Sequence, residues 1–147
     1  MKKYVALTSF LKSLKLPGKQ GQWIENIELQ VKGTYDGTKV LLHTMQYRAV
    51  FSIEDYAYRR HSIELLEAQL VTWLGDNDDR SELDDPMPNI DVDVLDDDTA
   101  DVEITLQFEE DVYIVEAEDG PIVFKGKRWQ LENPEHDIAE SGNVTDQ

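Results

Sequence analysis

The pattern of apolar and polar positions changes period several times along the chain. Residues 3–16 carry Tyr4, Leu7, Phe10, Leu11 and Leu14 at helical spacing, with Lys3, Ser9, Lys12, Ser13 and Lys15 mostly opposite. Intervals of three and four predict an amphipathic helix of about four turns, stopped by Pro17-Gly18. Residues 17–22 read as a loop. From Trp23 to Thr34 the period falls to two, with Ile27, Leu29 and Val31 alternating against Glu28, Gln30 and Lys32, which predicts a strand. Asp36-Gly37 marks a hairpin of the type I′ kind. Its partner strand starts at Lys39 and either runs on into Tyr47–Ile53 or breaks near His43-Thr44. A strand that long needs a bend or a bulge, and a long hairpin arm extending beyond the body is the other solution.

Tyr47, Ala49, Phe51 and Ile53 alternate with Arg48, Ser52 and Glu54, Val50 being the exception. This strand crosses through Asp55–Arg60 into a second helix, whose stripe is Ile63, Leu66, Leu70 and Leu74, widened by Leu65, Val71 and Trp73. Ser62 fits its N-cap, and Gly75 fits a left-handed end. An acidic, proline-containing loop fills residues 75–89. Ile90, Val92 and Val94 then alternate with Asp91 and Asp93, a DDDTAD turn follows, and Val102, Ile104, Leu106 and Phe108 form a strand with one acidic, wet face. Val112–Val115 extends the β pattern. After Asp119-Gly120-Pro121 comes a short final strand, Ile122–Phe124, and the basic cluster Lys125, Lys127 and Arg128 beside Trp129. From Glu132 onward no period is sustained. The expectation is therefore an α+β domain over residues 1–131, a largely antiparallel or mixed sheet packed by two main helices, and a flexible acidic tail over 132–147.

Charge changes what this domain can be expected to bind. The 147 residues hold 14 basic and 31 acidic groups, for a net charge of −17. The first 50 residues have eight basic and three acidic groups, leaving six and 28 in the remaining 97. Such a surface repels a nucleic-acid backbone, so sequence-specific nucleic-acid binding is not expected. A basic beginning and an acidic remainder do suit head-to-tail assembly of copies. Much of the acid also serves plain solubility. No run approaches the length of a membrane span, and Lys12 and Lys15 interrupt any signal-like apolar core, so a cytoplasm-like compartment, or a particle assembled there, is expected and no membrane partner.

Candidate chemistry is sparse. With no cysteine there is no disulfide, thiol nucleophile or thiolate zinc site. His43, His61 and His136 form no HExxH and no close pair. The carboxylate sets Asp76/Asp78/Asp79 and Asp96/Asp97/Asp98 lack the glycine and closing glutamate of a calcium loop. No glycine-rich phosphate loop or GxSxG elbow is present. Neither catalysis, a cofactor nor a metal is expected. Aromatic and basic residues give the better signal, because Tyr, Trp and Arg concentrate at protein interfaces. On that ground the candidate contact residues are Tyr56, Tyr58, Arg59 and Arg60 at the strand-to-helix crossing, and Lys125, Lys127, Arg128 and Trp129 near the end.

The ordered pieces Tyr47–Asp55, Ile63–Leu74, Asp76–Pro88 and Asp101–Glu116 resemble a known group. Over roughly residues 40–125 the chain is similar to the R-type tail completion proteins of contractile-tailed temperate phages and prophages. The resemblance implies a tail-terminator-like fold and a non-catalytic virion protein at the head-proximal end of the tail, assembled in the bacterial host cytoplasm. It implies as partners other copies in a ring (commonly a hexamer), the tail tube or sheath, and the head–tail connector. Competing readings are another connector or minor tail protein, and an acidic adaptor or nucleic-acid-mimicking inhibitor.

Overall fold

A computed structural model describes residues 1–133. Its elements in order are α1 (Lys2–Ser13), β1 (Lys19–Asp36), β2 (Lys39–Tyr56), α2 (Ile63–Asn77), β3 (Asn89–Val94), β4 (Ala100–Glu116), β5 (Ile122–Phe124) and β6 (Lys127–Leu131). All strand pairs are antiparallel. The sheet order is β1-β2-β4-β6-β5, with β3 pairing a different stretch of β4. This is the α+β class with two helices.

The period-two runs find each other. Tyr47 lies opposite Phe108, Ala49 opposite Leu106, Phe51 opposite Ile104 and Ile53 opposite Val102. These eight side chains make one buried face, and Leu7 and Leu11 of α1 and Leu66, Leu70 and Leu74 of α2 close over it. Each large side chain so buried is worth about 1.5–3 kcal/mol, which makes this ladder the main source of stability. The helices also meet each other where Phe10 stacks on Trp73, centroids 6.0 Å apart.

Residues 39–56 form a single strand, and bulges explain how it can be so long. One extra residue, Leu42, sits between the pairs Leu41–Tyr113 and His43–Val112, and a second irregularity separates Ile53–Val102 from Tyr56–Ala100. Each shift reverses the alternation, returning Val40 and Tyr56 to the buried side. Strand β1 has matching shifts near Asn26 and Gly33, whose φ values are +57 and +70. The hairpin does not stand clear as an arm, because β2 stays paired with β4 out to Lys39–Val115. At that end Val40, Ile114 and Trp129 make a second small core with Leu42, Ile122, Phe124 and Leu131.

Several local expectations are corrected. Strand β1 begins at Lys19, inside the expected loop, because Lys19–Gln22 pair with Glu54–Phe51. The register places Gly37 and Thr38 at the centre of the hairpin turn, and only Gly37 has positive φ, +67. That is the type II′ pattern rather than type I′, as β-branched Thr38 resists the left-handed region. Ser62 does cap α2, accepting from the Leu65 amide at 3.1 Å. The helix passes through Gly75 and ends at Asn77, with extended Asp78 as its C-cap. Leu65 and Val71 lie on the solvent side of α2, 46% and 58% exposed, so the buried stripe is narrower than expected. Val92 and Val94 share the helix-side face but remain exposed, because β3 is an edge strand that the helices do not reach. Among the described residues the last strand is β6, not Ile122–Phe124. The expected tail lies outside the described residues from position 134 onward.

Candidate assembly surfaces

The strand-to-helix crossing is built from the inside outward. Tyr56 is buried, and its hydroxyl meets His61 Nδ1 at 2.6 Å. Burial pushes its pKa up to about 12. Tyr58 donates its hydroxyl to the Asp96 carbonyl at 2.8 Å. Arg59 Nε donates to the Asp97 carbonyl and lies 3.3 Å from an Asp98 carboxylate oxygen. These two side chains therefore tie the crossing to the β3–β4 turn. In that turn the Asp96 carboxylate accepts from the Asp98 and Thr99 amides and the Thr99 hydroxyl, which hold its pKa low. The acidic run thus shapes its own turn. Arg60 is exposed.

At the other group, Lys125 and Gly126 both have positive φ and close the β5–β6 turn. Lys125, Lys127 and Arg128 are exposed, Lys127 lying 3.5 Å from Glu116 and Arg128 donating to the Gly120 carbonyl at 3.0 Å. Trp129 is only 1% exposed, and its indole N–H donates to the Phe124 carbonyl at 2.8 Å. Tyr56 and Trp129 are thus core residues of this chain, which corrects their assignment to contact surface. An aromatic next to basic residues in sequence points the opposite way from them along a strand. Nor do the two groups form one patch. Tyr56 pairs with Ala100 and Trp129 with Glu116, at opposite ends of β4, about 50 Å apart along an extended strand.

The surface that sequence reasoning did not assemble is the sheet face away from the helices. Register places Asp91 opposite Glu103 and Asp93 opposite Asp101, side by side on that face. Like charges directly opposite each other destabilise a sheet, so folding alone does not favour the arrangement. The same face holds a groove of about 590 Å³ lined by Trp23, Val50, Arg48, Glu25, Asp84 and Asp85 among others. Trp23 donates its indole N–H to Glu25 at 3.0 Å, and Arg48 lies 3.5 Å from Glu25. The signal was present in the alternation of Asp91, Asp93, Asp101 and Glu103, but the β3–β4 register was needed to pair them.

A network on the opposite side fixes the helices. Glu110 accepts from the Lys2 and Lys3 amides at 2.9 and 3.0 Å and from the Tyr47 hydroxyl, with the N-terminal ammonium 3.5 Å away. Burial pushes the Glu110 pKa up, but these donors and that charge outweigh it, and the carboxyl sits below its usual range. Asp78 lies between Lys3 and Arg80, and Arg80 also donates to the Gln107 carbonyl at 2.8 Å. That last bond serves the stretch of β4 edge left between β3 and β6.

Among the described residues no group of three or more histidines and carboxylates is arranged to hold a metal ion, and no helix is long and apolar enough to cross a membrane.

Comparison with known proteins identifies the class. Residues 1–134 match the model of the P2 phage tail completion protein R (GpR) family, and the chain belongs to that family, one of structural phage tail proteins. It is also similar to an uncharacterized 19.2 kDa protein from the rep–hol intergenic region of Haemophilus phage HP1 (strain HP1c1). The two are 32% identical over 149 residues, covering 96% of this chain and 88% of the phage protein. No solved structure matches the chain.

Proposed function

We propose that this protein completes the phage tail by capping the head-proximal end of the tube and sheath, and that the cap supplies the surface to which the head joins. Membership of the tail completion family over residues 1–134 carries this reading. The working form is a closed ring of copies, a hexamer being the common number for such caps. A ring needs two different surfaces on each copy that fit one another. The basic N-terminal part and the acidic remainder offer that asymmetry. Arg60 at one end of β4 and Lys125, Lys127 and Arg128 at the other are the exposed cations proposed to reach acidic neighbours.

The paired carboxylates Asp91–Glu103 and Asp93–Asp101 give the helix-free face its role in this reading. Turned toward a central channel, the face repels phosphate and lets DNA pass without sticking. Its proposed partners are the tube, the sheath and the connector, and its place is the virion tail, assembled in the host cytoplasm.

The test is electron microscopy of particles made without this protein. Tails of normal build that fail to join heads, or tails of uncontrolled length, are the expected result. Normal infectious particles would end the proposal.

A further inference from the structure

Strand β1 is an open edge of the sheet, and its middle is built unlike an edge that avoids partners. Leu29 and Val31 lie opposite Met45 and His43 on the helix side, yet are 59% and 83% exposed because neither helix covers them. Ile27 beside them is 51% exposed. Natural edge strands discourage pairing with proline, a bulge or an inward charge. Here the register shifts lie between Glu25 and Glu28 and between Val31 and Thr34, so Glu28–Val31 pair regularly between them, with Ile27 and Lys32 at the margins. No ion pair among the described residues involves Glu28 or Lys32.

The segment Glu28-Leu29-Gln30-Val31-Lys32 has a further property. Laid antiparallel against itself about Gln30, it matches: Glu28 falls opposite Lys32, Leu29 opposite Val31, and Gln30 opposite its own copy. Side chains directly opposite in an antiparallel pair lie on the same face and interact. A two-fold pair therefore gains two Glu28–Lys32 charge pairs on one face and two Leu29–Val31 apolar pairs on the other. Shifting the register by two residues in either direction loses this matching. We infer that β1 is a self-docking edge, and that two copies of this protein join there as a symmetric dimer with a continuous sheet across the two-fold. This contact is isologous, whereas the proposed ring requires an asymmetric one through charged surfaces. The dimer residues Glu28–Lys32 are separate from the proposed ring cations Arg60, Lys125, Lys127 and Arg128, and the two contacts stand or fall separately.

Sedimentation velocity on the full chain tests the dimer by charge reversal. The wild type is expected to pass from monomer to dimer as concentration rises. Glu28→Lys alone or Lys32→Glu alone places like charges opposite each other twice per dimer, and each is expected to weaken association by about tenfold or more. The double reversal restores both pairs and is expected to recover association to within about threefold of wild type. Val31→Lys should abolish the dimer while leaving the melting temperature unchanged at concentrations where the wild type is monomeric, since the residue is on the surface. A wild type that stays monomeric throughout would overturn the inference. So would single reversals without effect, or a double reversal whose losses simply add. That last pattern assigns the edge to a strand of different sequence, on another face of a second copy or on a tail protein. Joining of tails to heads is read independently, so losing one result leaves the other standing.

Discussion

Lys3 Nζ stands 2.6 Å from a carboxylate oxygen of Asp78, joining the first turn of α1 to the residue that caps the end of α2. The Asp78 side chain is 1% exposed, and Arg80 holds its other oxygen at 2.7 Å. One buried carboxylate thus fixes two helices and, through Arg80, the edge of β4. Removing one partner of a buried charge network leaves the others desolvated and unpaired. Asp78→Ala is expected to cost about 3 kcal/mol in urea unfolding. Lys3→Met, which leaves the Asp78–Arg80 pair intact, should cost about 1 kcal/mol.

Glu110 makes stability sensitive to acid. Its folded pKa is depressed, so the folded state binds this proton less readily than the unfolded chain. Its contribution is present above the ordinary glutamate value, about 4.3, and is lost as pH falls below that toward the depressed folded value. Thermal melts across the acid range should show a steep fall there. Glu110→Gln and Tyr47→Phe should both flatten it, the first by removing the titrating group and the second by removing a donor to it. An unchanged acid limb in both variants would disprove the assignment.

On the helix-free face, the facing carboxylates predict stability that rises with salt. Screening weakens repulsion between exposed like charges. Asp93→Asn should raise stability by about 0.5 kcal/mol at low ionic strength and by less at high salt. If the face lines a DNA channel, the same substitution should not improve yields of infectious particles, and neutralising all four positions should reduce them.

Gly120 is needed for close approach. A Cβ placed there would lie 2.1 Å from the Trp129 carbonyl oxygen. Since the obstacle is backbone, it cannot swing aside. Gly120→Ala should cost about 3 kcal/mol, read as a lower melting temperature with Trp129 fluorescence shifted toward that of exposed indole.

The proposed contact cations separate from these structural positions. Arg60→Glu and Lys125→Glu lie on the surface and should change stability by no more than about 0.5 kcal/mol. Loss of head joining without loss of folding is the expected outcome in complementation of particles lacking the protein.

Much of this fold is legible because its central ladder is regular. Tyr47–Ile53 and Val102–Phe108 show clean alternation, and the facing helices carry Leu7, Leu11, Leu66 and Leu70 at helical intervals. The missed strands have physical reasons. Lys19–Gln22 offers no apolar face because an edge strand can leave its polar side chains in water. Lys127–Leu131 is too short for its two apolar positions, Trp129 and Leu131, to establish a period beside three polar neighbours. Gly75 fails as a stop because the next turn has its own closure, the Asn77 side-chain Nδ2 donating to the Trp73 carbonyl at 2.9 Å. Residue type alone marks the candidate contact residues, and type cannot distinguish an exposed tyrosine from buried Tyr56. Facing is set by bulges, and the shift after Ile53 turned that ring inward.

The double use of β4 has a consequence for how this chain can vary. Its first half is flanked by β3 and its last residues by β6, so one uninterrupted alternation serves both ends of the molecule. A single codon inserted near Gln107 would turn one end inside out relative to the other, burying carboxylates or stranding Ile114 in water. The loop around Asp84–Pro88 carries no such parity. Length variation among viable versions of this protein should therefore collect in that loop and be absent from the strand, which behaves as a fixed-phase spine.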